Sequence, residues 1–163
     1  MAAITAPQLT PAAPIPILCF MARDIIHTAV KNALIKDGWK ITDDPYYIEY
    51  EEVALAADLG AERPIAAERG TEKIVVEVKS FIGRSPMKDL RDAVGQYLIY
   101  LGYLEEVAPE RTLYLALNDR VFHELFEQKA VQLIVKKYQV SLITVDIAKQ
   151  EIVKWTKYPD IES

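Results

Sequence analysis

The chain has 163 residues, 51% hydrophobic and 26% charged, a composition that builds a globular core and excludes a disordered chain. A net charge of −5 excludes a broad basic surface, so contact with nucleic acid would have to be local or shared with a partner. One cysteine, Cys19, and two histidines, His27 and His123, exclude an internal disulfide and argue against a zinc site, leaving carboxylates to hold any metal and favouring Mg²⁺ or Mn²⁺.

Residues 1–20 contain Pro7, Pro11, Pro14 and Pro16 and no charged side chain. A secretory leader needs a basic start and an unbroken apolar run, so this stretch reads as a disordered tail ahead of Met21. No apolar run is long enough to cross a bilayer, and a cytoplasmic protein with no membrane partner is expected. The folded domain is placed at 21–158, with 159–163 as a second tail.

From Arg23 to Lys36, Ile25, Ile26, Ala29, Val30, Ala33 and Leu34 recur at helical spacing, and Gly38 stops the helix. Short strands follow: 39–42, 46–50 after the Asp44-Pro45 turn, 53–59, 64–68 and 71–80. In the last of these Ile74, Val76 and Val78 alternate with Val75, Glu77 and Lys79. Ser85-Pro86 opens a second helix, N-cap then proline at the first position, with an apolar stripe of Leu90, Ala93, Val94, Tyr97, Leu98, Leu101 and Leu104. A strand at 113–117, an interrupted helix at 120–138 in which Phe122, His123 and Phe126 pack, and strands at 140–145 and 152–155 complete the chain. This order predicts an α/β (α+β) fold, a mixed sheet flanked by helices on both faces, with core order αβββαβ.

Glu77 and Lys79 are two apart on a strand and share a face, while Val78 points the other way into the core. Asp58 ends the apolar run Val53–Ala57, where a charge is otherwise unwelcome, and a meander could set it beside Glu77. Two converging carboxylates call for a cation. Asp58, Glu77 and the Val78 carbonyl would supply its oxygen ligands, and Lys79 would orient water and steady charge on a phosphodiester. Gln96 and Tyr100, four apart on the second helix, lie at the margin of its apolar stripe. A structural ion-pair cluster, with Lys79 satisfying both acids, is the alternative.

The Asp…Glu-x-Lys arrangement resembles the PD-(D/E)XK nucleases, whose fold is restriction-endonuclease-like, and Gln-x-x-x-Tyr resembles their RecB-like branch. That resemblance makes Asp24 a further metal ligand and His27 a substrate-side candidate, with a solvated helix face as the plainer reading. Arg84, Lys88 and Arg91 are candidate phosphate contacts beside a helix N-terminus.

More specifically, the chain resembles the XisH family, the fdxN-element excision controlling factors of cyanobacteria. The likeness rests on Met21-Ala22-Arg23-Asp24 with His27, Asp37-Gly38-Trp39, Asp44-Pro45-Tyr46 and Asp58-Leu59-Gly60-Ala61-Glu62-Arg63. It continues through Ala66-Ala67-Glu68-Arg69, Glu77-Val78-Lys79-Ser80-Phe81, Gly95-Gln96-Tyr97 and Leu113-Tyr114-Leu115-Ala116. It implies a role in excising a DNA element during heterocyst development and a companion protein, XisI. Either a magnesium-dependent endonuclease or a non-catalytic accessory module satisfies these expectations, and a homo-oligomer is open.

Overall fold

A computed structural model describes residues 17–54 and 64–158. Helix α1 spans Ile17–Lys36, starting four residues ahead of Met21, so the helix takes up the end of the expected tail. Strand β1 follows at Lys40–Asp43. A two-stranded ribbon, β2 (Glu49–Tyr50) and β3 (Val53–Ala54), closes through Glu51, whose φ of 48° suits the tight reversal. Strands β4 (Ile65–Arg69) and β5 (Glu72–Val78) lead into α2 (Pro86–Val107) and β6 (Arg111–Asn118). A short α3 (Asp119–Val121) runs into a π-helical turn at Phe122–Phe126, then α4 (Lys129–Lys137), β7 (Leu142–Asp146) and β8 (Glu151–Thr156).

The six-stranded sheet has the order β1-β4-β5-β6-β7-β8. β1, β4 and β5 form an antiparallel meander, β5, β6 and β7 are parallel, and β8 returns antiparallel. The expected αβββαβ core is therefore α1, β1, β4, β5, α2 and β6. One expectation fails in detail. The stretch read as a meander strand over 53–59 pairs, where described, with Glu49–Tyr50 in the separate ribbon, because the turn at Glu51–Glu52 folds it back before it reaches the sheet.

Strand alternation divides the sheet between two cores. Ile74, Val76, Val78, Tyr114, Ala116 and Ile143 face α1, meeting Ile26, Val30, Ala33 and Leu34. Val75, Leu113, Leu115, Leu117 and Leu142 face α2 and α4, meeting Leu90, Ala93, Tyr97, Tyr100, Leu104, Val131 and Val135. Helix α2 starts where local chemistry predicts: Ser85 is extended and its hydroxyl accepts from the Lys88 N–H, with Pro86 at the first position. Its buried stripe differs from the expected one. Tyr100 is fully buried and Leu98 is 36% exposed, so the stripe runs through Tyr97, Tyr100 and Leu104. No helix among the described residues is long and apolar enough to cross a membrane.

Candidate functional site

The parallel strands β5, β6 and β7 all end at one side of the sheet, the side where open α/β sheets gather their ligand-binding groups. Glu77 is the penultimate residue of β5 and pairs with Leu115 on β6. It follows Val75 on the α2 face and is wholly buried. A solvated surface pair, the ordinary fate of Glu-x-Lys on a half-exposed strand, is therefore ruled out for Glu77. A carboxylate at such depth needs a cation or strong hydrogen-bond donors, because desolvation otherwise costs several kcal/mol or more. Val78 points into the α1-side core, as its alternation requires. Lys79 continues past the strand, half-buried, with its N–H donating to the Ala116 carbonyl at 3.0 Å.

Phe81, two residues on, has φ 51°, an uncommon left-handed conformation for an aromatic residue. Its ring meets Phe126 edge-on at 5.4 Å, packing that holds the chain as it leaves the site. Helix α2 then packs on the face of the sheet to which Glu77 belongs, chiefly against β6. Gln96 stands midway along it. It is partly buried, and its Oε1 is shut off from solvent and accepts no hydrogen bond among the described residues. Tyr100, a turn further along, lies in the core. Glu77, Val78 and Lys79 thus form one end of β5, with Gln96 and Tyr100 on the covering helix. Asp58 lies outside the described residues.

The XisH protein family model matches residues 20–153, most of the chain. The chain belongs to the XisH family. Among solved structures, it is similar to an XisH family protein from Nostoc punctiforme PCC 73102, at 38% identity and a TM-score of 0.76, covering 82% of this chain and 100% of that one. It is equally similar to an fdxN element excision controlling factor protein from Anabaena variabilis, at 38% identity and TM-score 0.76, covering 82% of this chain and 99% of that one. No curated protein matches it.

The α1 candidates lie across the sheet from Glu77 in this XisH-family fold. Asp24 and His27 are on α1, which covers the opposite face of the sheet, and Asp24 is exposed. Among the described residues, no group of three or more His, Cys, Asp or Glu side chains could hold a metal. Arg84, Lys88 and Arg91 are exposed along the loop after β5 and the first turns of α2, at the Glu77 end of the sheet. Arg91 also bonds Asp92 at 3.2 Å. His123 is exposed rather than packed, standing between Asp119 and Glu127 on the outside of the π-helical turn.

Sequence reasoning missed one cluster. His27 Nε2 and Lys31 Nζ reach the two carboxylate oxygens of Asp44, at 2.8 and 2.7 Å, tying α1 to the turn after β1. An open depression of about 560 Å³ beside it is lined by Lys31, Trp39, Lys40 and Asp44 among others. The signal was present in part, since His27 and Lys31 share a helix flank and Asp44-Pro45 is a turn, but only the fold joins them. Burial alone would raise the Asp44 carboxyl pKa, and the bonds from Lys31 and His27 outweigh it and hold it below the ordinary 3.8. In the unfolded chain this group titrates near 3.8, so its contribution is full above that pH and disappears as pH falls through the lower folded value. Replacing Asp44 with Asn is expected to cost about 1 kcal/mol at neutral pH, given a half-exposed lysine partner, and nothing once the Asp44 carboxyl is protonated in the folded and the unfolded wild type. Denaturant unfolding of the two chains at neutral pH and in acid measures this.

Proposed function

We propose that this chain acts in controlling excision of a DNA element, and that the end of β5 is a metal-dependent phosphodiester-cleaving site of PD-(D/E)XK type. The observation that carries this reading is Glu77: a fully buried carboxylate at the ligand-gathering end of a parallel strand, with Lys79 two residues on. The relatives named above supply the biological setting, one of them being an fdxN element excision controlling factor.

An oxygen-only donor set of Glu77, the Val78 carbonyl and Asp58 fits a hard cation such as Mg²⁺ or Mn²⁺ better than a soft one. Such a cation, when bound, polarises the scissile phosphate and acidifies the attacking water. Lys79 would orient that water and offset charge building on the phosphate, while Gln96 offers a buried carbonyl oxygen to hold a water proton. Arg84 and Lys88 would grip flanking phosphates locally, which suits an acidic protein.

The test pairs two measurements on the full chain. Calorimetric titration with Mn²⁺ should give a single site that Asp58→Ala abolishes. Supercoiled and branched DNA should be nicked or cut only when Mg²⁺ or Mn²⁺ is present, and not by Lys79→Ala. Absence of both metal binding and cleavage would reject the catalytic site. The net charge of −5 favours a second reading, an accessory module that reaches DNA through a XisI-type companion or a recombinase. In that case excision survives in Lys79→Ala while co-purification with the companion persists.

A further inference from the structure

The solvent side of α2 is not composed as a solvent-facing helix surface. At 100° per residue, Arg91, Gly95, Leu98, Ile99, Gly102 and Glu106 form one stripe, diametrically opposite the buried row of Ala93, Tyr97, Tyr100 and Leu104. All six are exposed, Leu98 at 36% and Ile99 at 43%. From Gly95 to Gly102 the stripe carries no polar side chain, where charged residues would ordinarily stand. The two glycines are odd in another way. After proline, glycine is the poorest residue for a helix interior. A Cβ added at Gly95 or Gly102 would meet nothing within 4 Å, so no packing among the described residues uses their small size. A second helix laid against this face would use it.

We propose that this face is the contact between two copies of the chain, their α2 helices packed antiparallel across a twofold axis. The stripe is symmetric about the Leu98–Ile99 peptide: Gly95 and Gly102 stand three residues outside it, Arg91 and Glu106 seven. An antiparallel pair centred there sets Gly95 against Gly102 of the partner subunit and Leu98 against Ile99 of the partner subunit. Arg91 then meets Glu106 of the partner subunit at both ends. Glycine opposite glycine lets the backbones approach closely enough for the leucine and isoleucine to interlock. Opposed helix dipoles and two crossed ion pairs fix the orientation, as an isologous contact requires. A parallel pair would instead set arginine beside arginine and glutamate beside glutamate. A helix of an unrelated protein would not call for this symmetry.

Sedimentation equilibrium of the full chain should give a dimer. Ile99→Glu should yield a monomer with an unchanged far-UV spectrum. Arg91→Glu and Glu106→Arg, both at exposed positions that cannot disturb the core, should each weaken the dimer about tenfold or more, and the double variant should recover it. Gly95→Leu should dissociate the dimer while leaving the monomer folded. A wild-type chain that stays monomeric at every concentration, a dimer indifferent to Ile99→Glu and Gly95→Leu, or charge reversals that fail to rescue one another would overturn the proposal.

Discussion

Replacing Glu77 with glutamine is expected to abolish metal-dependent stabilisation of the chain and to cut any nuclease activity by about a thousandfold or more, roughly 4 kcal/mol of barrier. Glutamine keeps the shape of the side chain and removes its charge. That matters here, because Glu77 is wholly buried and alanine would add a cavity cost that blurs the result. Two readings of the buried acid predict different stabilities. If it belongs to a cation site, the metal-free protein carries converging acids that repel one another. Neutralising Glu77 then leaves metal-free stability unchanged or raises it, and removes the gain on adding Mn²⁺. That gain is about 2.7 kcal/mol at a hundredfold excess over Kd, or some 5–10 °C in Tm for a chain of this size.

If Glu77 instead belongs to a purely structural ion-pair cluster, the same change strands a cation in a dry place and costs about 3–5 kcal/mol with no metal involved. Melting curves of wild type and Glu77→Gln, with and without Mn²⁺, separate the outcomes. A variant that melts far below wild type in the absence of metal, alongside a wild type indifferent to Mn²⁺, would sink the catalytic account.

Much of the scaffold was legible locally. Ser85-Pro86 marks the start of α2 because capping depends on adjacent residues alone, and Ile74, Val76 and Val78 show the face of β5 because alternation is a property of one strand. The burial of Glu77 is harder to read. On one strand, an acid facing away from Val76 and Val78 and sharing its side with Lys79 looks solvated, and only a sheet covered on both faces turns that position inward. Leu98 and Tyr100 exchange places for a related reason. The apolar residues from Leu90 to Leu104 admit stripes through 97, 98 and 101 or through 97, 100 and 104, and the contact of the two tyrosines with β6 and β7 selects the second. The tie between Asp44 and the α1 pair His27 and Lys31 joins elements remote in the chain, so no local pattern could announce it. Asp58 was assigned on the strength of a charge ending an apolar run, and its place lies beyond the described residues.

Tyr97→Phe removes one oxygen and is expected to cost about 2–4 kcal/mol, far more than its size suggests. The Tyr97 hydroxyl donates to the Leu113 carbonyl at 3.1 Å and accepts from the Ser141 N–H at 3.1 Å, in a place closed to water. It thereby joins α2 to the entries of both β6 and β7, and Ser141 in turn takes the Tyr158 N–H on its own hydroxyl. Phenylalanine would fill the same volume but leave a buried N–H without an acceptor, the larger of the two losses. Tyr138→Phe, at an exposed phenol, should fall within about 0.5 kcal/mol of wild type and serves as the control. Burial raises the Tyr97 hydroxyl pKa above the ordinary 10.0 of an unfolded tyrosine, despite its contact with Ser141. The unfolded chain therefore gives up this proton first as the solution becomes alkaline. The stability that Tyr97 contributes is complete below pH 10 and is lost as pH rises through the higher folded value. Urea unfolding of wild type and Tyr97→Phe should show their widest separation at neutral pH and a narrowing one above pH 10. A constant separation would mean that the hydroxyl is not held as its geometry requires.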